Sequence, residues 1–258
     1  MYTTRLSTLI SSLSFDHHLY ADDTQIFFSF HPLNFDSSTS HVQNALQHIS
    51  SWMSANVFTL NSSKIEFLLS GLKNQLAKIH NSSLDTSYSS QNIGFIFDEH
   101  LTFSDQIRSL SKTCYYHIHY LRCIRPYFDS STACTVATSI VHSKLDHSNS
   151  VYYKLPKSQS SRLQQILNSL VRTVDKATKS CHITLILRSL HWLRITERVE
   201  YKLLSLTYKV LTTTQPPYLH NLISIQRPHS TRSSSVITLA RPPSSSSLKI
   251  TDRSFRYA

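Results

Sequence analysis

Residues 17–30 run His17-His18-Leu19-Tyr20-Ala21-Asp22-Asp23-Thr24-Gln25-Ile26-Phe27-Phe28-Ser29-Phe30. From His18 to Phe30 this reads as strand, tight turn, strand: Leu19 and Tyr20 lead in, Asp22-Asp23 mark the turn, and Ile26, Phe27, Phe28 and Phe30 lead out. Adjacent carboxylates at a hairpin tip concentrate negative charge at one exposed point, which is costly unless a cation offsets it. Hard oxygen ligands suit Mg²⁺, which takes one or two carboxylates plus substrate phosphates. Two such ions about 3.5–4 Å apart can clamp the attacking and leaving oxygens of phosphoryl transfer. Asp is also an ordinary turn former, so the bare Tyr20-Ala21-Asp22-Asp23 carries little. Its weight comes from the apolar strands on either side.

Downstream, Asp36 and Ser37 can cap a helix, and Val42, Ala45, Leu46, Ile49 and Met53 recur at helical spacing, which predicts a helix over 39–54. Strands are expected around Ile65–Leu69 and, after the polar stretch 80–92, at Ile93–Phe97. The pattern changes near residue 100. Phe103, Ile107, Leu110, Cys114, Ile118 and Leu121 trace a helical stripe, with Ser104 as its cap and Pro126 as its stop. Ala133, Val136, Ala137, Ile140 and Val141 predict a second helix, and Leu163, Ile166, Leu167, Leu170, Val171 and Val174 a third. Thr196 caps a fourth, with the stripe Val199, Leu203, Leu206 and Val210 and with Glu197 and Glu200 favourably placed in its first turn. Residues 224–258 are rich in Ser, Arg and Pro without periodicity and are expected to be mobile. Mixed strand and helix followed by helix alone indicates an α+β chain or two subdomains.

Composition limits the function classes. The chain has 258 residues and a net charge of +11, but charged residues make up only 16%, so the few charges are mostly basic and favour a polyanionic partner. Two glycines leave no room for a phosphate loop, a dinucleotide fingerprint or a serine-hydrolase elbow. Cys114, Cys123, Cys134 and Cys181 form no CxxC pair, which suits reduced thiols in an intracellular chain. Cys114 and His117 could share a helical face, but no second pair follows at zinc-ligand spacing, and Cys114 falls on the apolar stripe. No apolar run approaches the ~18 residues of a membrane span, and the first residues do not read as a secretory signal.

The hairpin HHLYADDTQIFFSF resembles the active-site hairpin of reverse transcriptases, specifically those of LINE-type (non-LTR) retrotransposons of the jockey-like branch. The resemblance extends along the chain. LQHISSWMSANVFTLNSSKIEFLL resembles the following palm helix and the segment carrying a Lys near the nucleotide, and NIGFIFDEHLTFSDQI resembles the primer grip. SIVHSKLDHSNSVYYKLP and HITLILRSLHWLRITERVEYKLLSLTYKVL are similar to the thumb and post-thumb blocks. The resemblance implies a partial palm over 1–98, a helical thumb over 99–180, post-thumb helices over 181–223 and a tail over 224–258. It implies RNA-directed DNA polymerisation with RNA template, DNA primer, deoxynucleoside triphosphates and Mg²⁺, acting in the nucleus. It assigns Asp22 and Asp23 to the metals, Lys64 to protonation of the departing pyrophosphate, and Tyr20, Ala21 and Gly94 to the vicinity of nucleotide and primer.

The same family needs a third metal-binding aspartate on an earlier strand. Asp16 is the sole carboxylate upstream of Asp22, and it lies on the approach to the hairpin itself. Met1 accordingly resembles an internal methionine of a longer reading frame, and the final RSFRYA the start of a block cut short. Other departures are Leu145-Asp146-His147-Ser148-Asn149 in place of LDYCN, Lys64-Ile65-Glu66 in place of K-T-E, and Arg5 where proline is usual. Lys64 also has a plain reading as a solvated Lys before a strand.

In the helical half, Lys112, Arg122, Arg125, Lys144, Lys154, Lys157, Arg162, Arg172, Lys176 and Lys179 are interleaved with Tyr115, Tyr116, Tyr120, Tyr152 and Tyr153. Cations neutralise phosphates and Tyr can stack, so these are candidate nucleic-acid contacts. The expectation is a polymerase fragment inactive by itself. The alternatives are a non-catalytic nucleic-acid-binding fragment and a helical protein-interaction module.

Overall fold

The computed structural model describes residues 2–71, 73–79, 86–224 and 239. The expected mobile tail over 224–258 lies almost wholly outside them. The chain is α+β and divides into two compact units, Met1–Thr102 and Phe103–Ala258.

In the first unit a helix, α1 (Tyr2–Ser12), precedes the hairpin β1 (Asp16–Tyr20) and β2 (Asp23–Phe27), and a long helix, α2 (Phe35–Ala55), follows. Helix α1 was not anticipated from the sequence. Its signal is present, since Leu6, Ile10 and Leu13 fall on one face, but it is short. These elements share one core: Leu6, Ile10, Phe15, Ala45 and Ile49 are buried, with Leu19, Ile26, Phe28, Val42 and Trp52 packed against them. The Phe15 ring meets Phe28 edge-on at 5.1 Å and stacks on His41 at 4.6 Å. Ser7 Oγ and His17 Nε2, 2.7 Å apart, tie α1 to β1. A two-stranded hairpin is marginal by itself. Each fully buried Leu or Ile contributes about 1.5–3 kcal/mol, so the two helices supply what the hairpin lacks.

Helix α2 starts before the expected 39, after Asn34, and neither Asp36 nor Ser37 caps it; both lie inside its first turn. The strand expected at Ile65–Leu69 contracts to β3 (Phe67–Leu68), and a single turn, α3 (Lys73–Leu76), follows. Strand β4 (Thr86–Ser87) pairs with β3 in parallel. The strand expected at Ile93–Phe97 is instead part of a hairpin of β5 (Ser89–Asn92) and β6 (Phe95–Asp98). Ile93 and Gly94 form its loop with φ of 44° and 76°, the sign pattern of a type I′ turn. Ile93 is apolar and β-branched, which suggests strand; the glycine after it and the register decide for turn.

The second unit is helical. Helix α4 (Ser104–Ile124) begins after Phe103, whose left-handed φ of 60° makes it the N-cap position, so Ser104 is not the cap. It ends at a 3₁₀ turn containing Pro126, which has no N–H to continue the ladder. Helix α5 (Ser130–Ala137) is capped by the Asp129 carboxylate, which accepts from Thr132 N–H at 3.0 Å. It runs through a π-helical turn, Thr138–His142, into α6 (Ser143–Asp146). Helix α7 (Lys157–Asp175) carries the expected third stripe, and α8 (Ile183–Ser189) follows. At α9 (Ile195–Thr213) the cap position is Arg194 rather than Thr196: Arg194 N–H donates to the Glu197 carboxylate at 2.8 Å, the half of a capping box that an N3 glutamate supplies. A last turn, α10 (Pro217–His220), ends the described helices.

Helix α7 is the centre of this unit. Leu163, Ile166, Leu167, Leu170, Val171 and Val174 are all buried, and they pack against the α4 stripe Ile107, Leu110, Cys114, Ile118 and Leu121. Helices α5, α8 and α9 also lean on α7, so residues on both sides of 180 share one core. Burial pushes the Cys114 thiol up to about 11, which marks it as a packing residue. Among the described residues no helix is long and apolar enough to cross a membrane.

Candidate metal and nucleic-acid sites

The register of β1 on β2 pairs Tyr20 with Asp23 and leaves Ala21 and Asp22 as a two-residue loop. Asp23 therefore opens β2 while Asp22 sits in the turn. Ala21 has φ of 53°, and a positive φ at the first loop residue alone fits a type II′ turn. Glycine is usual there; a Cβ in the left-handed region costs about 1–2 kcal/mol. The tip is thus strained and fully presented: Ala21, Asp22 and Asp23 are exposed. Alternation along β1 turns Asp16, His18 and Tyr20 outward and half-buries His17 and Leu19 against the helices. On that outer face the His18 ring lies 5.3 Å from exposed Phe27.

Asp16 stands opposite Phe27 at the far end of the hairpin, roughly 13 Å along the strand from Tyr20 at the usual rise. It does not join the tip. Among the described residues no three His, Cys, Asp or Glu side chains group where they could hold a metal ion. The donor set at the tip, two neighbouring hard carboxylates open to solvent, fits a Mg²⁺ that takes its remaining ligands from water or phosphate.

Lys64 is exposed at the end of a 3₁₀ turn, Ser62–Lys64, just before β3. Gly94 is exposed, and its φ of 76° gives it a backbone reason to be glycine. A Cβ there would meet no atom within 4 Å, so the constraint is conformational and not steric crowding.

In the helical unit Lys112, Arg122, Lys154, Lys157 and Arg162 are exposed, while Lys144 and Arg172 are half-buried. Lys154 extends its ammonium over the Tyr153 ring, 5.2 Å from the centroid. Arg125 is a correction. It is buried, and its guanidinium donates to the Val174 carbonyl at 2.7 Å, the Phe128 carbonyl at 2.7 Å and Ser130 Oγ at 3.4 Å. It closes the ends of α4 and α7 and is not available to phosphates. Tyr152 is a second correction: it is buried, and its hydroxyl accepts from Gln106 Nε2 at 3.4 Å. Tyr115, Tyr116 and Tyr120 are exposed. Lys176 and Lys179 are exposed too, after α7 ends.

One cluster escaped the sequence reading. The π-helical turn delivers His142 into the core, its ring edge-on to Trp192 at 4.0 Å. One turn on, Asp146 takes a two-pronged ion pair from Arg198 Nε, at 2.9 Å, and Nη2, and Asn149 Nδ2 adds a third donor at 3.1 Å. The segments meet only through the fold, and no local spacing announces the contact. No protein-family model, curated protein or solved structure matches the chain.

Proposed function

We propose that the chain is the part of a LINE-type reverse transcriptase that runs from the active-site hairpin through the thumb, and that by itself it binds nucleic acid without extending a primer. The observation that carries the reading is the hairpin tip: Asp22 in the strained two-residue loop after Ala21 and Asp23 at the start of β2, both exposed, with a hydrophobic base of two helices beneath. Asp22 and Asp23 are the residues to hold Mg²⁺, which when bound supplies charge stabilisation to the phosphates of an incoming deoxynucleotide. Tyr20 and Ala21 flank the nucleotide, and Lys64 and Gly94 belong to the same neighbourhood in this reading. RNA template and DNA primer are the partners, engaged through the exposed cations of the helical unit, at a chromosomal target in the nucleus.

Two carboxylates are too few for two ions. Primer extension with Mg²⁺ or Mn²⁺ is therefore expected to give no product. Extension that disappears in Asp22→Ala would show that the chain is a complete polymerase. Titration with Mg²⁺ is expected to show millimolar or weaker affinity, on the order of that of an incomplete octahedral shell, reduced further in Asp23→Asn. Tight micromolar binding that Asp23→Asn abolishes would contradict the incomplete shell, and an Asp23→Asn variant that binds as well as the parent counts against the assignment of the tip.

A non-catalytic nucleic-acid-binding role is favoured independently by the helical unit, where seven of the ten candidate cations and three tyrosines are exposed. It differs from the polymerase reading in needing nothing from Asp22 and Asp23: substituting both would leave binding untouched, with or without Mg²⁺.

A further inference from the structure

The outer face of α4 is the least ordinary surface in the helical unit. A packed helix keeps its large rings toward the core. Here the core stripe is aliphatic, and the rings lie on the side away from it. Tyr115, Tyr116 and Tyr120 are 43%, 57% and 53% exposed, and His119 beside them is exposed as well. Tyr116 and Tyr120, one turn apart, have centroids at 4.7 Å, and the His119 ring lies 6.2 Å from that of Tyr120. Lys112 stands one turn before Tyr116, and Arg122 follows Tyr120, both exposed. The one acid of α4, Asp105, is already paired with Arg108 at 3.1 Å. Only Ile124, at the end of the helix, adds an exposed aliphatic side chain to this face.

Tyrosine and arginine also serve protein interfaces, but cations at both edges of the rings with no free acid between them favour an anionic partner. Rings and cations together suit an anionic strand with flat, unpaired bases, since every base has a π-face and each link a phosphate. We propose that the outer face of α4 is a stacking platform for single-stranded nucleic acid, with Tyr115, Tyr116 and Tyr120 taking unpaired bases and Lys112 and Arg122 the adjoining phosphates. This rests on the nucleic-acid-binding reading above and adds which strand form is held and by which rings. A duplex hides its base faces and offers only its phosphates, so the rings give the chain a preference for single strands.

The test is fluorescence anisotropy of the full chain with labelled oligo(U) and with a blunt RNA–DNA duplex at one salt concentration. Replacing Tyr115, Tyr116 and Tyr120 together by Ala is expected to weaken oligo(U) binding by about tenfold for each engaged ring while duplex binding stays within about twofold. The triple Tyr→Phe variant keeps the rings and is expected to retain oligo(U) binding, which separates stacking from loss of fold. Lys112→Gln with Arg122→Gln is expected to weaken both ligands and reduce the salt slope by about 0.7 per phosphate released on the single strand. If the chain binds both ligands and the Ala variant changes neither, or weakens both equally, the platform is wrong and the broader reading stands. If the chain binds neither, both readings fall together. A dimer in sedimentation that the Ala variant disperses, with oligo(U) affinity unchanged, would make the face a self-association surface and overturn the platform.

Discussion

His142 illustrates how much one side chain here owes to its surroundings. Burial holds its pKa down at about 4, against an ordinary 6.5; the nearby Arg198 guanidinium pushes the same way, and the Asp146 carboxylate opposes. Between those two values the unfolded chain binds the proton and the folded chain does not. Stability contributed by this residue is therefore complete above about pH 6.5 and is lost as pH falls toward 4. From pH 7 to pH 5 the loss is on the order of 2 kcal/mol at ~1.4 kcal/mol per pH unit. Urea unfolding at the two pH values measures it, and His142→Phe is expected to flatten the difference. An unchanged pH dependence in that variant would remove His142 from the account. Arg125 gives a second expectation at this scale. Arg125→Leu leaves the Val174 and Phe128 carbonyls without their charged donor and is expected to cost about 2–4 kcal/mol of stability. Nucleic-acid affinity, measured below the melting temperature, is expected to be unaffected.

At the scale of elements, the two hairpins of the first unit make opposite use of backbone freedom. The β1–β2 loop puts an alanine at φ of 53°, and the β5–β6 loop puts a glycine at φ of 76°. Ala21→Gly is expected to stabilise the chain by about 1 kcal/mol by relieving the left-handed Cβ, and Gly94→Ala to destabilise it by a similar ~1 kcal/mol. Thermal melts of the two variants should move in opposite directions. Helix α1 has its own test. Ile10 is fully buried between the hairpin and α2, so Ile10→Ala is expected to cost about 2–4 kcal/mol. Hydrogen-exchange protection of the β1 and β2 amides should fall with it. Retained protection would mean that the hairpin stands without the helix.

For the whole molecule the governing quantity is charge. A net charge of +11 on 258 residues attracts polyanions at long range, and each phosphate neutralised releases counterions. Four to six engaged cations give a log–log salt slope of about −3 to −5, and a loss of roughly two to three orders of magnitude between 50 and 200 mM salt. Neutralising Lys154, Lys157 and Arg162 together should flatten that slope, and sequence preference should be slight because phosphate contacts do not read bases. Binding that ignores salt would favour a protein-interaction module. Cations of the C-terminal segment, among them Arg227, Arg232, Arg241 and Lys249, are the competing source. A chain ended at residue 223 that loses nearly all affinity would assign the binding to them.

Elements whose signal is local are legible before any folding is considered. Alternation around Asp22-Asp23 is enough for the first hairpin, and aliphatic stripes at helical period are enough for α2, α4, α5, α7 and α9. A stripe must be buried, and period alone says which face. Choices between nearly equal local options were left to tertiary structure. Ile93 prefers a strand, but the β5–β6 register puts it in a loop; Ser104 and Thr196 are good caps by type, but Phe103 and Arg194 occupy the positions. The candidate site divides in the same way. That Asp22 and Asp23 stand exposed at a tip follows from the pattern of residues around them. That Arg125 and Tyr152 are buried, and that His142, Asp146, Trp192 and Arg198 meet, does not, because a cation or a ring reads the same in sequence whether it faces solvent or another helix. Only packing decides which face is covered, and the rings left uncovered on α4 are what that packing exposed.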